Sequence, residues 1–215
     1  MKVFLSYSHK KKKLAGEVKE VFKSFKLDCF LAHEDIAPTK EWEKTILKEL
    51  RNCDVFVALL TIGFDESDWT HQEVGIALGL NKVMVPIMVN KHVPVGFLKR
   101  YQALRFDPNQ RFPWESFFGS LIEKKKCEGL LKDLLIDKLG TIGNYDDAAR
   151  LIDVISQDKE LTKVDIAKVV GAALANDQIY GGRNPRRSMR AFVASRRKNI
   201  APKLYSAFKE EFANA

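Results

Sequence analysis

The sequence lacks the features that mark several common classes of protein. No apolar run approaches the roughly 20 residues that a membrane-spanning helix needs, and Met1 leads directly into a strand-like segment without a signal-peptide pattern. Cys29, Cys53 and Cys127 show no metal-ligand spacing, and their odd number argues against a disulfide framework. These absences predict a cytoplasmic protein with no membrane association and no metal site.

Two nucleotide-binding motifs are also missing. No GxGxxG follows the first strand-like segment, and no GxxxxGK occurs anywhere in the 215 residues. An ordinary dinucleotide-binding fold or a phosphate-loop enzyme is therefore not expected. What is present is a composition with 46% hydrophobic and 30% charged residues, which is typical of a folded globular protein.

Short apolar segments alternate with helical ones from residue 1 to about residue 126. The strand-like segments are 3–7, 28–32, 53–60, 82–89 and 103–106. The helical segment at 14–25 carries apolar residues at helical spacing, another begins near Trp69 with Asp68 as its expected N-cap, and the last spans 112–126. This alternation predicts an α/β domain over 1–126, with helices on both faces of a parallel sheet whose ligands bind beyond the carboxyl ends of the strands.

The strand pattern stops after this part of the chain. Residues 127–215 read as four or five helices, with Asn144 and Thr162 as helix-starting residues, and predict a small all-α domain. Residues 178–215 hold nine Lys and Arg against two Glu, a balance of +7, whereas the first 177 residues balance at +1. This basic segment has two interpretations: contact with a polyanion, or a solvated face of a module that binds protein partners or its own copies.

Four segments of the first domain carry a resemblance to a known family. VFLSYS, AHEDIAPTKEWEKTI, DVFVALLT and DWTHQEVGIALGLNKVMVPIMV, in this order, resemble the Toll/interleukin-1 receptor (TIR) domain over about residues 1–126. The resemblance is strongest at 68–87, which is similar to the NAD-cleaving TIR domains of animal axon-degeneration proteins and of bacterial antiviral proteins. It implies a flavodoxin-like five-stranded parallel sheet.

The resemblance also implies an activity and a set of site residues. Enzymatic members cleave the bond between nicotinamide and ribose in NAD, which is a substrate and not a cofactor, and their catalytic glutamate lies in a W-x-x-x-E stretch, here Trp69 to Glu73. Glu73 is therefore the expected catalytic residue. The loop at 33–41 corresponds to the loop that gates the pocket and contacts a neighbouring TIR domain in the family. The expected substrate-binding residues are Ser6, Tyr7, Ser8, Asp35, Trp42 and Trp69.

The chemistry explains why a carboxylate and a ring would share one helical turn. Residues four apart lie on one face of a helix, about 5–6 Å between Cβ atoms. A carboxylate there can accept hydrogen bonds from ribose hydroxyls and stabilise the positive charge that develops as nicotinamide departs. A glutamate in a first helical turn is also favoured by the helix dipole alone, by about 0.3–1 kcal/mol, and a tryptophan there is often a packing residue.

Several alternatives remain open at this stage. Trp42 is expected either to anchor the preceding loop on the core or to line the pocket. The run Lys10–Lys13 can meet phosphates, or it is a solvated helix face. The function is either NAD cleavage, giving nicotinamide and a linear or cyclic ADP-ribose product in prokaryotic antiviral defence, or non-catalytic scaffolding by self-association of TIR domains.

Overall fold

A computed structural model of the chain describes residues 1–32 and 42–213. The chain divides into two compact units, Met1–Ser120 and Leu121–Ala215. The boundary that the sequence suggested, at residue 126, lies a few residues further on, and the independence of 127–215 as a domain stays a prediction. Within the described ranges, no helix combines the length and the apolar character needed to cross a lipid bilayer.

The first unit is built on a parallel sheet. Its strands are β1 (Lys2–Tyr7), β2 (Asp28–Leu31), β3 (Val55–Leu60), β4 (Val83–Val89) and β5 (Leu104–Phe106). They lie in the order β2-β1-β3-β4-β5, and all neighbours are parallel. Every residue of β3 is buried, as expected for a central strand covered on both faces. The predicted flavodoxin-like five-stranded sheet is confirmed, and the strand order reverses between β1 and β3.

Helices cover both faces of this sheet. They are α1 (Lys12–Ser24), α2 (Trp42–Asn52), α3 (Asp68–Gly79) and α4 (Trp114–Ile122). On one face α2 and α3 bury Ile46 and Val74 in a core cluster with Phe4 and Phe56. The single aromatic residue of α1, Phe22, packs against α4, and its ring lies 4.7 Å from the ring of Phe117.

Two local predictions about these helices are wrong. The last helix ends at Ile122 and not at 126. Just after Ile122 the backbone N–H of Lys124 donates to the carbonyl of Leu121 and closes a turn, and this turn lies in a run of like-charged lysines. The N-cap of α3 is Ser67 and not Asp68, which is the first helical residue. The Ser67 side chain makes no capping hydrogen bond, and since Ser and Asp are both common at N-cap positions, residue type alone did not separate the two neighbours.

The second unit is helical throughout its described length. Its helices are α5 (Glu128–Leu139), α6 (Tyr145–Ser156), α7 (Lys163–Leu174), α8 (Asp177–Tyr180), α9 (Arg183–Ser195) and α10 (Pro202–Ala213). The predicted caps are confirmed: the Asn144 side chain accepts from the Asp147 N–H, and Thr162 forms a reciprocal capping box with Asp165. The short α8 is one element more than the sequence pattern indicated.

Candidate active site

Glu73 lies on α3 and faces the end of β1. Alternation along β1 directs Ser6 to the face of the sheet that α2 and α3 cover. There the Ser6 hydroxyl donates a hydrogen bond of 2.5 Å to Glu73 Oε2. The two residues are 67 positions apart in the chain and are brought together because α3 packs beside the point where the strand order reverses.

The environment of the Glu73 carboxyl is unusual for a charged side chain. Glu73 is only 1% exposed, and its Oε1 has no hydrogen-bond partner in the described residues. Burial raises the pKa of this carboxyl from 4.5 to about 7, although the hydrogen bond from Ser6 favours the charged form. Glu73 is thus a buried acid whose carboxyl group the described residues satisfy at one oxygen only.

Two tryptophan rings stack on each other, and one of them, Trp69, lies one helical turn before Glu73. The rings of Trp42 and Trp69 are 5.1 Å apart at an interplanar angle of 22°. The Trp42 indole N–H donates to the carbonyl of Ala32 over 3.2 Å. Trp42 is 38% exposed, so it is not the fully buried anchor that one interpretation of the sequence assumed, and Trp69 packs partly buried against the core of α2 and α3. The pair forms an aromatic wall next to the turn that carries Glu73.

The other expected site residues are not all in this place. Tyr7 is fully buried and follows Ser6 in β1, so its side chain lies on the opposite face of the sheet. Ser8 is buried at the end of the strand, and its Oγ makes no hydrogen bond to a described residue. Asp35 lies outside the described residues. The structure therefore brings together Glu73, Ser6 and the two tryptophans.

Thr70 is a supporting residue that the sequence did not single out. Its hydroxyl donates to the carbonyl of Phe64 and lies 2.8 Å from the carbonyl of Ser67, and the side chain is fully buried. These contacts hold the first turn of α3 against the loop before it, and they thereby set the position of Glu73 relative to the end of β1. Threonine at this helix position follows a turn-forming loop, but its partners depend on the loop conformation, which the local sequence does not specify.

No group of three or more His, Cys, Asp and Glu that could hold a metal ion occurs in the described parts of the chain. The chemistry that the site offers is that of one buried carboxylate with a hydroxyl donor and an aromatic wall. Such a carboxylate can accept a hydrogen bond from a ligand hydroxyl and stabilise a nearby positive charge.

Four of the nine basic residues at 178–215 are engaged in the structure of the second unit. Arg186 donates to the carbonyl of Tyr180, Arg190 to that of Phe212, and Arg196 to that of Ser156 over 2.9 Å. The guanidinium group of Arg197 lies 3.7 Å from the centre of the Tyr205 ring. A polyanion partner for this unit stays a prediction, and it would rest on the remaining exposed residues: Arg183, Arg187, Lys198, Lys203 and Lys209.

Comparison with known proteins gives one family, and two of the solved structures that are similar to the chain are described below. A family model described as a TIR domain matches residues 3–122. The TIR domain of the Toll-related receptor TRR-2 from Hydra magnipapillata is 15% identical, with a TM-score of 0.48, over 55% of this chain and 96% of that one. The CMP N-glycosidase BcmB from Clostridium botulinum is 16% identical, with a TM-score of 0.36, over 50% of this chain and 90% of that one. No curated protein matches the sequence.

Proposed function

This chain belongs to the TIR-domain family, and from that premise we propose that it cleaves NAD at the bond between nicotinamide and ribose. The observation that carries the proposal is the state of Glu73: buried in a W-x-x-x-E turn, bonded to Ser6 through one oxygen and without a described partner at the other. A carboxyl at a merely structural position would be expected to have both oxygens bonded or solvated.

The proposed reaction needs little more than this carboxylate. Nicotinamide is bound to ribose through a positively charged ring nitrogen, so it leaves with the bonding electron pair as a neutral molecule and requires no general acid. The positive charge that develops on the sugar is stabilised by the ionised Glu73, whose free Oε1 also accepts from a ribose hydroxyl. Attack by water gives ADP-ribose and releases a proton, whereas attack by an atom of the adenine ring gives a cyclic product.

The decisive test is release of nicotinamide from NAD by the purified full chain. We expect Glu73→Gln, which keeps the shape and removes the charge, to lower the rate at least about a hundredfold, the size of effect that loss of one preorganised electrostatic group produces. Asp68→Asn removes an exposed carboxylate from the same helix and should leave the rate near that of the parent. Chromatography of the products separates linear from cyclic ADP-ribose. Equal rates for the parent and Glu73→Gln would contradict the proposed role of Glu73.

A non-catalytic TIR scaffold is the second candidate function. It is favoured by the exposed apolar side chains of Ile62, Val93 and Phe97, which lie on the turns after β3 and β4 and suit contact between copies of the chain. Light scattering measures such assembly directly. Concentration-dependent assembly without any release of nicotinamide would favour the scaffold, whereas a rate per molecule that rises with protein concentration would support an enzyme that assembles.

The proposed biological setting is prokaryotic antiviral defence in the cytoplasm. It rests on the similarity of residues 68–87 to bacterial antiviral TIR domains. Loss of phage protection on introducing Glu73→Gln into a host that carries the gene would support this setting.

A further inference from the structure

A second cleft opens at the carboxyl edge of the sheet, and its lining includes none of the residues of the Glu73 site. Its volume is about 350 Å³. The cleft lies between the start of α1 and the turns that follow β3 and β4. The side chains that matter for its chemistry are Lys10, Lys11, Lys13, Glu17, Thr61 and His92.

The cleft is positively charged. Three lysines line it against a single glutamate, Glu17. Lys10 is already paired, since its Nζ lies 3.0 Å from Glu66 Oε2. Lys11 and Lys13 are exposed, and neither side chain has an ion-pair partner among the residues that the structure describes. Two ammonium groups are thus available to a ligand, one from the N-cap residue of α1 and one from its first turn.

A buried hydroxyl distinguishes this cleft from an ordinary solvated lysine face. Thr61 is 2% exposed and lines the cleft, yet its Oγ1 has no hydrogen-bond partner within the described chain. Buried hydroxyl groups are normally bonded, and one that is unpaired beside a cavity is satisfied when a ligand supplies the acceptor. His92, from the turn after β4, adds an imidazole that can donate to the same ligand.

The loop geometry keeps Lys10 at the edge of the cleft. Gly63 has φ of +83°, and a Cβ at this position would lie 3.0 Å from Ser8 Oγ and 3.3 Å from Lys10 Cδ. Only glycine accepts this backbone conformation readily while leaving room for the lysine side chain to cross the turn towards Glu66.

We propose that this cleft is a binding site for a phosphate group. A phosphoryl group presents several acceptor oxygens and up to two negative charges, which match the ammonium groups of Lys11 and Lys13, the hydroxyl of Thr61 and the imidazole of His92. Glu17 limits the net positive charge, so the cleft suits a mono- or diphosphate better than a long polyanion. The site does not depend on the proposed NAD cleavage.

Binding of inorganic phosphate to the full chain, measured by titration calorimetry at low ionic strength, tests the proposal. Lys11→Ala with Lys13→Ala should weaken binding about tenfold or more, since two charged hydrogen bonds are lost. Thr61→Val keeps the side-chain shape and should weaken binding several-fold. Lys124→Ala with Lys125→Ala removes two exposed lysines elsewhere and should change nothing. Absence of saturable binding, or an equal loss in this control, would overturn the proposal.

The source of the phosphate is separated by a second titration. In the Glu73→Gln chain, phosphate is titrated with and without saturating NAD. If the cleft holds the diphosphate of NAD itself, NAD abolishes phosphate binding in this chain, and Lys11→Ala with Lys13→Ala, introduced into the chain that keeps Glu73, raises the KM for NAD. If it holds a separate phosphate ligand, phosphate binds equally well in both titrations. Either result assigns a phosphate to the cleft, and the control variant guards against non-specific charge effects.

Discussion

The two units of the chain differ in how their buried polar atoms are satisfied. In the first unit, Ser8 Oγ, Thr61 Oγ1 and Glu73 Oε1 are buried and have no hydrogen-bond partner among the described residues. All three residues lie at or beyond the carboxyl ends of the strands, or on the helix that packs there. An unpaired buried hydroxyl or carboxylate costs about 1–3 kcal/mol or more, so three of them in one region need a reason.

The second unit contains buried polar side chains that are bonded within it. Asn176 is buried, and its side-chain amide donates to the carbonyls of Leu139 and Ile142 over 2.9 and 3.1 Å, while its Oδ1 accepts from the Gln178 N–H. Asp158, also buried, accepts from the Glu160 N–H over 2.8 Å. Bonded polar groups of this kind hold one helix end to the next. Under the two proposals above, the unpaired polar groups at the sheet edge are bonded by ligands, and mutation can test this division.

The largest expected effect on stability comes from the titration of Glu73. Burial raises the pKa of this carboxyl from 4.5 to about 7. Between these pH values the folded chain keeps a proton that the unfolded chain releases, so the free energy of unfolding falls as pH rises through this window, by about 3 kcal/mol. Glu73→Gln cannot titrate and should lack this component. Under the proposed mechanism NAD cleavage by the parent rises through the same window, because it needs the ionised form.

Tryptophan fluorescence makes this measurement specific to the first unit. All three tryptophans of the chain, Trp42, Trp69 and Trp114, lie in Met1–Ser120. The quantity to follow is the difference in unfolding free energy between the parent and Glu73→Gln as a function of pH. A difference that stays constant from about pH 4 to about pH 8 would mean that the Glu73 carboxyl has an ordinary pKa in the folded chain and that its ionisation does not destabilise the fold.

Asn176→Ala should have the next largest effect, in the second unit. It removes three hydrogen bonds and leaves two buried carbonyls unpaired, which we expect to cost about 2–3 kcal/mol. Asn199→Ala removes an exposed amide of the same unit and should cost little. Circular dichroism during denaturant unfolding compares the two. If both variants unfold like the parent, the Asn176 contacts do not stabilise the second unit, and the contrast between the units fails.

Hydrogen bonds between residues far apart in the chain are the part of the structure that the sequence did not predict. The alternation of strand-like and helical segments predicted the parallel sheet, and the residue types at 144 and 162 predicted the caps of α6 and α7, because these signals are local in the sequence. The W-x-x-x-E turn was predicted through the family resemblance. The hydrogen bond from Ser6 to Glu73, by contrast, joins residues 67 positions apart, and it requires the register of β1 and the packing of α3 at the same time. The roles of Thr61 and Thr70 likewise depend on the turn after β3.

A pair of glycines provides a smaller test of packing in the second unit. A Cβ at Gly182 would lie 2.4 Å from Tyr145 Cδ1 and 2.8 Å from Pro185 Cγ, whereas a Cβ at Gly171 meets nothing within 4 Å. Gly182→Ala should therefore cost about 1–3 kcal/mol through overpacking. Gly171→Ala, within α7, should stabilise the unit by about 0.5–1 kcal/mol, because alanine favours the helix. Equal unfolding midpoints would show that the Tyr145 ring moves aside freely.

The smallest effect belongs to a pair of serines in and just after β1. Ser6 and Ser8 are both buried, but only Ser6 has a partner, Glu73. Ser6→Ala should destabilise the first unit by about 1–2 kcal/mol, since a hydrogen bond to a carboxylate is lost. Ser8→Ala removes a hydroxyl that satisfies nothing, so the free energy of unfolding should stay level or rise by up to about 1 kcal/mol. Tryptophan fluorescence during denaturant unfolding gives both values. A loss for Ser8→Ala as large as that for Ser6→Ala would mean that the Ser8 hydroxyl is bonded within the folded chain, and the sheet edge would then hold one unpaired polar group fewer for a ligand to complete.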